Sequence, residues 1–125
     1  MILGVGCDIV ENSRFTTQEH DVISRIFSKE ELKESEEICK TNKAEFFGSR
    51  FAMREALAKA SRIPVFMLNG DAVVIEKRSD GSPYVNCSDK ITAMIKERFG
   101  VDKFKFHISL SHEDAYSIAY AVLES

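Results

Sequence analysis

One stretch limits the fold more than any other: residues 43–60, KAEFFGSRFAMREALAKA, which contain no proline and are dominated by good helix formers. Ile63-Pro64 follows closely, and the residue before a proline is pushed out of helical geometry, so a central helix ending there is predicted. At about 100° per residue, Phe46, Met53, Leu57 and Ala60 form one apolar side, and Phe47, Phe51 and Ala58 another. Arg50 and Arg54 fall between those sides, while Glu55 and Lys59, one turn apart, share a stripe with Gly48 and Ala52. A merely solvated helix collects its charges away from its aromatic residues. Interleaved charges fit an interface or a ligand site; the plainer reading is a Glu55–Lys59 surface pair, worth at most about 0.5 kcal/mol.

Around this helix the apolar periodicity changes. Residues 2–10, ILGVGCDIV, read as a strand that delivers Asp8 at its end. Val22, Ile23, Ile26 and Phe27 have helical spacing over 20–27. Ser28 followed by Glu31 is a capping-box pattern, opening a polar helix to about Cys39. Its glutamates, Glu30, Glu31, Glu34, Glu36 and Glu37, read as a solvated face. Strands at 72–78 and 83–87 flank an Asp80-Gly81 turn, and Ser88 caps an amphipathic helix that Gly100 stops. Residues 104–111 and 115–123 alternate as strands, with Tyr116, Ile118, Tyr120 and Val122 at alternate positions of the second. The expected fold is one α+β domain over 1–125, its sheet mostly antiparallel, with helices packed on one side.

A chain of 125 residues buries roughly two-thirds of its unfolded surface, so no disulfide or structural metal is needed for it to fold. Cys7, Cys39 and Cys87 are odd in number and widely spaced, which fits a reducing cytoplasm and no C-x-x-C metal pair. The sequence shows no apolar run of membrane-spanning length and no signal-peptide pattern. A net charge of −3 argues against a general nucleic-acid binder.

Three places could carry chemistry. Asp8 ends an apolar strand, and a carboxylate there is either a cap or a ligand. Paired with Glu55 it would make a sparse magnesium site, completed by waters and substrate phosphates, although sequence alone does not bring the two together. His112 follows Ser109 and Ser111 near the tip of the last hairpin, where solvent reaches it; it is either incidental or functional. His107, inside a strand, reads as structural, and His20 has no partner in view.

Three segments, in order, resemble the holo-acyl-carrier-protein synthase family of 4′-phosphopantetheinyl transferases. They are Gly4-Val-Gly-Cys-Asp8-Ile-Val-Glu11 with Arg14, the 45–60 run Glu45-Phe-Phe-Gly-Ser-Arg50-Phe-Ala-Met-Arg54-Glu55-Ala-Leu-Ala-Lys59-Ala, and Ile108-Ser-Leu-Ser-His112. The resemblance implies transfer of phosphopantetheine from coenzyme A to a serine of an acyl carrier protein, in fatty acid biosynthesis. It implies Mg²⁺ on Asp8 and Glu55, Lys59 on phosphate, and Arg50 at the nucleotide end of coenzyme A. Pro83 would lie against the adenine region, and His112 would hydrogen-bond the phosphates. Arg14 and Arg25 would receive the acidic carrier protein, in a homotrimer with active sites between protomers.

Three positions depart from the family pattern. Arg54 stands where the family has lysine, its charge retained for phosphate. Ser61-Arg-Ile-Pro64 replaces a glycine-containing loop, and Lys40 and Lys43 are the only basic residues just ahead of the helix. Two other classes compete: a magnesium-dependent nucleotide or phosphate-ester hydrolase, and a non-catalytic module that holds a carrier protein or a nucleotide.

Overall fold

The computed structural model describes all 125 residues. Strand β1 (Ile2–Glu11) leads through a 3₁₀ turn at Asn12–Phe15 to helices α1 (His20–Ile26), α2 (Lys29–Glu36) and α3 (Lys43–Ser61). Hairpin β2 (Val73–Lys77) and β3 (Pro83–Cys87), helix α4 (Asp89–Phe99), and strands β4 (Lys105–His112) and β5 (Tyr116–Glu124) complete the chain. Strands β1, β5 and β4 form one sheet in that order, β2 and β3 a second, and every pairing is antiparallel.

The central helix lies across one face of the larger sheet at unusually close range. A Cβ added to Gly4 would lie 2.0 Å from the Ala60 carbonyl oxygen, and one on Gly6 2.0 Å from that of Ala56. Two strand residues advance about 6.6 Å and four helix residues about 6 Å, so the glycines step down β1 in register with the alanines of α3. Asp8 is the next residue on that face of β1.

Close packing also decides which residues of β5 are buried. Ser117, Ala119, Ala121 and Leu123 face the helix, and the larger Tyr116, Ile118, Tyr120 and Val122 face away. Val5, Ile9, Tyr116 and Tyr120, all between 51% and 66% exposed, thus share the outer face, with Ile9 opposite Ile118 and Val5 opposite Val122.

On the helical side, Phe15, Phe27, Phe47 and Phe51 form an aromatic cluster, with Phe27 and Phe47 ring centroids 4.7 Å apart. The Ser28–Glu31 capping box forms as expected: Glu31 N–H donates to the Ser28 hydroxyl, and Ser28 N–H to the Glu31 carboxylate. Helix α2 stops at Glu36 rather than Cys39, and Ile38 turns in to pack against the core. Glu31 corrects the expectation of a solvated glutamate face, because it is fully buried. After α3, Arg62 takes the left-handed conformation at φ 58°, which a glycine adopts without strain. No helix is long and apolar enough to cross a membrane.

Candidate active site

Where β1 crosses α3, three of the expected residues meet. The Lys59 ammonium donates to the Asp8 carboxylate at 3.2 Å and to the Cys7 carbonyl at 2.8 Å, and it remains half exposed. Glu55 lies one turn before Lys59 on α3, partly buried. Burial pushes the Glu55 carboxyl above its ordinary range, and the negative charge of Asp8 pushes it further; Lys59 and Arg14 pull the other way. Two carboxylates therefore repel one another in a partly desolvated corner, with one ammonium shared between them.

That donor set fits a hard divalent cation. Magnesium is commonly held by one or two carboxylates, its remaining positions filled by water and substrate phosphates. No group of three or more His, Cys, Asp or Glu side chains that could hold a metal occurs, which argues against a zinc-type all-protein site.

Arg14, in the 3₁₀ turn after β1, stacks its guanidinium 4.7 Å from the centroid of Phe51, one turn before Glu55 on α3. The pair of acids is thus flanked by a cation on each side, Arg14 and Lys59. Arg25 is elsewhere, exposed at the end of α1, with its Nε donating to the Asp21 carbonyl. His112 ends β4, two residues beyond Leu110, which is level with Ala119 and Asp8 across the sheet. That separates His112 from Asp8 by about 12 Å within one chain. Its Nδ1 is paired with the Glu45 carboxylate. Pro83 opens β3 on the smaller sheet, half-buried, its carbonyl accepting from Arg78 at 3.1 Å.

The two arginines between the apolar sides of α3 are both buried, and the reading of Arg54 requires correction. Arg54 does not reach phosphate: it is fully buried, donating to both oxygens of Glu31 (3.0 and 2.5 Å) and to the carbonyls of Leu68, Gly70 and Val73. These contacts tie α3 to α2 and to the chain before β2. Arg50 is likewise buried and lies about 140° around the helix from Glu55. Its guanidinium stacks 4.2 Å from the Phe46 centroid, donates to the Ser49 hydroxyl, and faces the Glu34 carboxylate at 3.8 Å. Phe46, Ser49 and Glu34 surround it, and its buried Nε has no hydrogen-bond partner. Burial lowers its pKa, with Glu34 opposing that shift.

Sequence reasoning passed over Asn12, Glu45 and Ser117. Asn12, 1% exposed, donates to the Glu113 and Asp114 carbonyls and accepts from the Ser117 hydroxyl, while its N–H donates to Ala115. It pins the β4–β5 hairpin to the end of β1. A Cβ on Gly48 would lie 2.1 Å from its Oδ1, which is why the central helix carries a glycine there. The available signal was a polar residue directly after the strand that carries Asp8, together with a glycine inside a strong helix.

The fold and the site define an α+β protein with two acids and two cations gathered at one strand–helix crossing. The sequence pattern of the 4′-phosphopantetheinyl transferase superfamily matches residues 4–121, and the chain belongs to that family. It is 38% identical to a holo-[acyl-carrier-protein] synthase of Pelagibacter ubique, covering 98% of this chain and 97% of the relative. Among solved structures, a holo-(acyl-carrier-protein) synthase of Bacillus anthracis in complex with CoA (3′,5′-ADP) aligns with a TM-score of 0.78 at 25% identity, covering 100% and 98% of the two chains. That of Neisseria meningitidis aligns with a TM-score of 0.82 at 25% identity over the full length of both chains.

Proposed function

We propose that this chain is a holo-acyl-carrier-protein synthase, transferring 4′-phosphopantetheine from coenzyme A to a serine of an apo carrier protein. Support comes first from the meeting of Asp8, Glu55 and Lys59 at the β1–α3 crossing, inside a family defined by that transfer. The named activity of full-length relatives and a relative's complex with CoA agree with it.

In this reading Asp8 and Glu55 hold Mg²⁺, which when bound supplies charge neutralisation at the coenzyme diphosphate. Lys59 leaves Asp8 to donate to a phosphate oxygen, and His112 donates to another. Pro83 borders the adenine. Arg14 and Arg25 meet the acidic surface of the carrier protein, and Arg14, beside Glu55, stands where the incoming serine must arrive. The serine oxygen attacks the β-phosphorus and releases its proton to solvent, the bond to the adenosine-side phosphate breaks, and adenosine 3′,5′-bisphosphate leaves. The chain's own contribution is positioning and charge, with no covalent enzyme intermediate.

The apolar outer face of the β1–β5–β4 sheet supports self-association, since four large side chains more than half exposed on one face ask for a partner surface, and the family resemblance makes that assembly a homotrimer. The separation of His112 from Asp8 within one chain supports a coenzyme held between neighbouring protomers. The deciding experiment is mass spectrometry of an apo carrier protein incubated with the chain, coenzyme A and Mg²⁺. A gain of about 340 Da is expected from the transfer chemistry; an unmodified carrier protein, with coenzyme A cleaved or untouched, overturns the reading.

A further inference from the structure

We propose that Glu45 is a positioning residue for His112: it accepts from Nδ1–H of the ring and so aims Nε2 toward a phosphate of the coenzyme. This rests on the reading of His112 as a phosphate contact, and adds to it the residue that fixes which face of the imidazole does the work.

Glu45 sits in the first turn of α3, and its carboxylate is in contact with Nδ1 of His112 at the end of β4. A carboxylate can only accept, so this contact favours a proton on Nδ1. Both partners are held from behind. Glu45 is carried by the helix that packs on β1 and β5 through Gly4, Gly6 and the alanines of α3. His112 is carried by a hairpin whose turn is anchored by buried Asn12 at the Glu113, Asp114 and Ala115 carbonyls and at the Ser117 hydroxyl. Half of the imidazole remains open to solvent while Glu45 is three-quarters covered. The ring is therefore fixed on one edge and open on the other. A phosphate on the open edge meets Nε2 without competing for Nδ1, and it accepts from that nitrogen when the ring carries a hydrogen at both positions, one toward each anion. With Glu45 removed, the ring rotates freely and either nitrogen can face solvent.

The test uses the full chain with ¹⁵N-labelled histidine, adenosine 3′,5′-bisphosphate as the probe, and Glu45→Ala and Glu45→Gln variants. In the wild type, the neutral ring of His112 is expected to be the Nδ1–H tautomer. On adding the bisphosphate, its Nε2 resonance moves more than its Nδ1 resonance. Glu45→Ala removes the preference for Nδ1–H and, by freeing the ring to rotate, weakens bisphosphate binding by about tenfold, the lower end of what loss of such an orienting partner does elsewhere. Glu45→Gln, whose amide oxygen still accepts from Nδ1, keeps the tautomer and most of the affinity. A wild-type ring protonated at Nε2, or an Ala variant with unchanged tautomer and affinity, overturns the role of Glu45. A wild-type His112 whose resonances ignore the bisphosphate sinks the phosphate-contact reading itself, a different outcome that the same spectra distinguish.

Discussion

Arg54 and Glu55 are consecutive on α3, yet the fold treats their charges in opposite ways. Arg54 is sealed inside, its guanidinium matched by Glu31 and by three backbone carbonyls. Glu55 is left beside a second carboxylate, with burial and Asp8 both disfavouring its ionised form. A charge cluster that satisfies itself holds elements together and has nothing left to offer a ligand. One that repels itself is completed from outside. The family resemblance assigned Arg54 to coenzyme phosphate and Glu55 to Mg²⁺, and the contrast between them shows which of the two charges the fold has already used.

The sharpest way to break this contrast is to remove Arg54. Arg54→Ala leaves Glu31 buried and unpaired, and is expected to cost about 3–5 kcal/mol of stability in urea unfolding. Replacing both partners, as Arg54→Met with Glu31→Gln, should recover much of that loss. An Arg54→Ala protein that keeps its stability but binds coenzyme A more weakly would return Arg54 to the site.

The opposite pattern is expected across the helix. Asp8→Ala and Glu55→Ala should each lower transfer a hundred- to a thousand-fold, about 2.7–4 kcal/mol in the barrier, with unfolding midpoints at or above that of the wild type. Carrier-protein modification by mass spectrometry, paired with thermal unfolding of the same samples, reads both quantities. Wild-type turnover of either variant at limiting Mg²⁺ contradicts the metal assignment.

Between these lies the packing that brings Asp8 to Glu55. Gly6→Ala places a methyl group against the Ala56 carbonyl, and overpacking of this kind typically costs about 1–3 kcal/mol. Because β1 must lift from α3, transfer should fall as well, which a steady-state assay of the folded variant would show. A stable, fully active Gly6→Ala protein would mean that the close approach is not what sets the site.

The smallest effect concerns the thiols. Burial pushes Cys87 up to about 11, whereas hydrogen bonding from Thr41 lowers exposed Cys39. Cys39 is therefore expected to react with iodoacetamide faster than Cys87 at pH 8, by mass-spectrometric labelling. The raised Cys87 value also means that stability falls as pH rises from the unfolded thiol value of 9.0 toward about 11, since only the unfolded chain ionises there. Cys7, on the outer sheet face, should be protected in an assembled oligomer and reactive in a monomer.

Much of this was legible in the sequence because it depends on local rules. Ser28 with Glu31 and Ser88 before α4 announced helix starts, Gly100 announced a helix end, and alternation in 104–111 gave a strand with the right face inward. What was hidden depends on contacts distant in the chain. In β5, Tyr, Ile and Val alternate with Ala and Ser, and hydrophobicity favours burying the larger set. Only the closeness of α3, set by Gly4 and Gly6 some hundred residues earlier, puts the small set inside. Arg54 looks like a phosphate ligand from its place in the family pattern, and its partner Glu31 hides in a glutamate-rich run that reads as surface. Asn12 and Glu45 carry no motif of their own; their meaning lies in a hairpin that arrives at the end of the chain.

The contrast between the two neighbours on α3 is tested most directly by thermal unfolding of the wild type and Glu55→Gln, each with and without Mg²⁺ in the presence of coenzyme A. Without metal, the glutamine variant should be at least as stable as the wild type, since it loses a repulsion. With metal, the wild-type midpoint should rise and that of the variant should not. Equal responses to Mg²⁺ in the two proteins would contradict a cation held between Asp8 and Glu55.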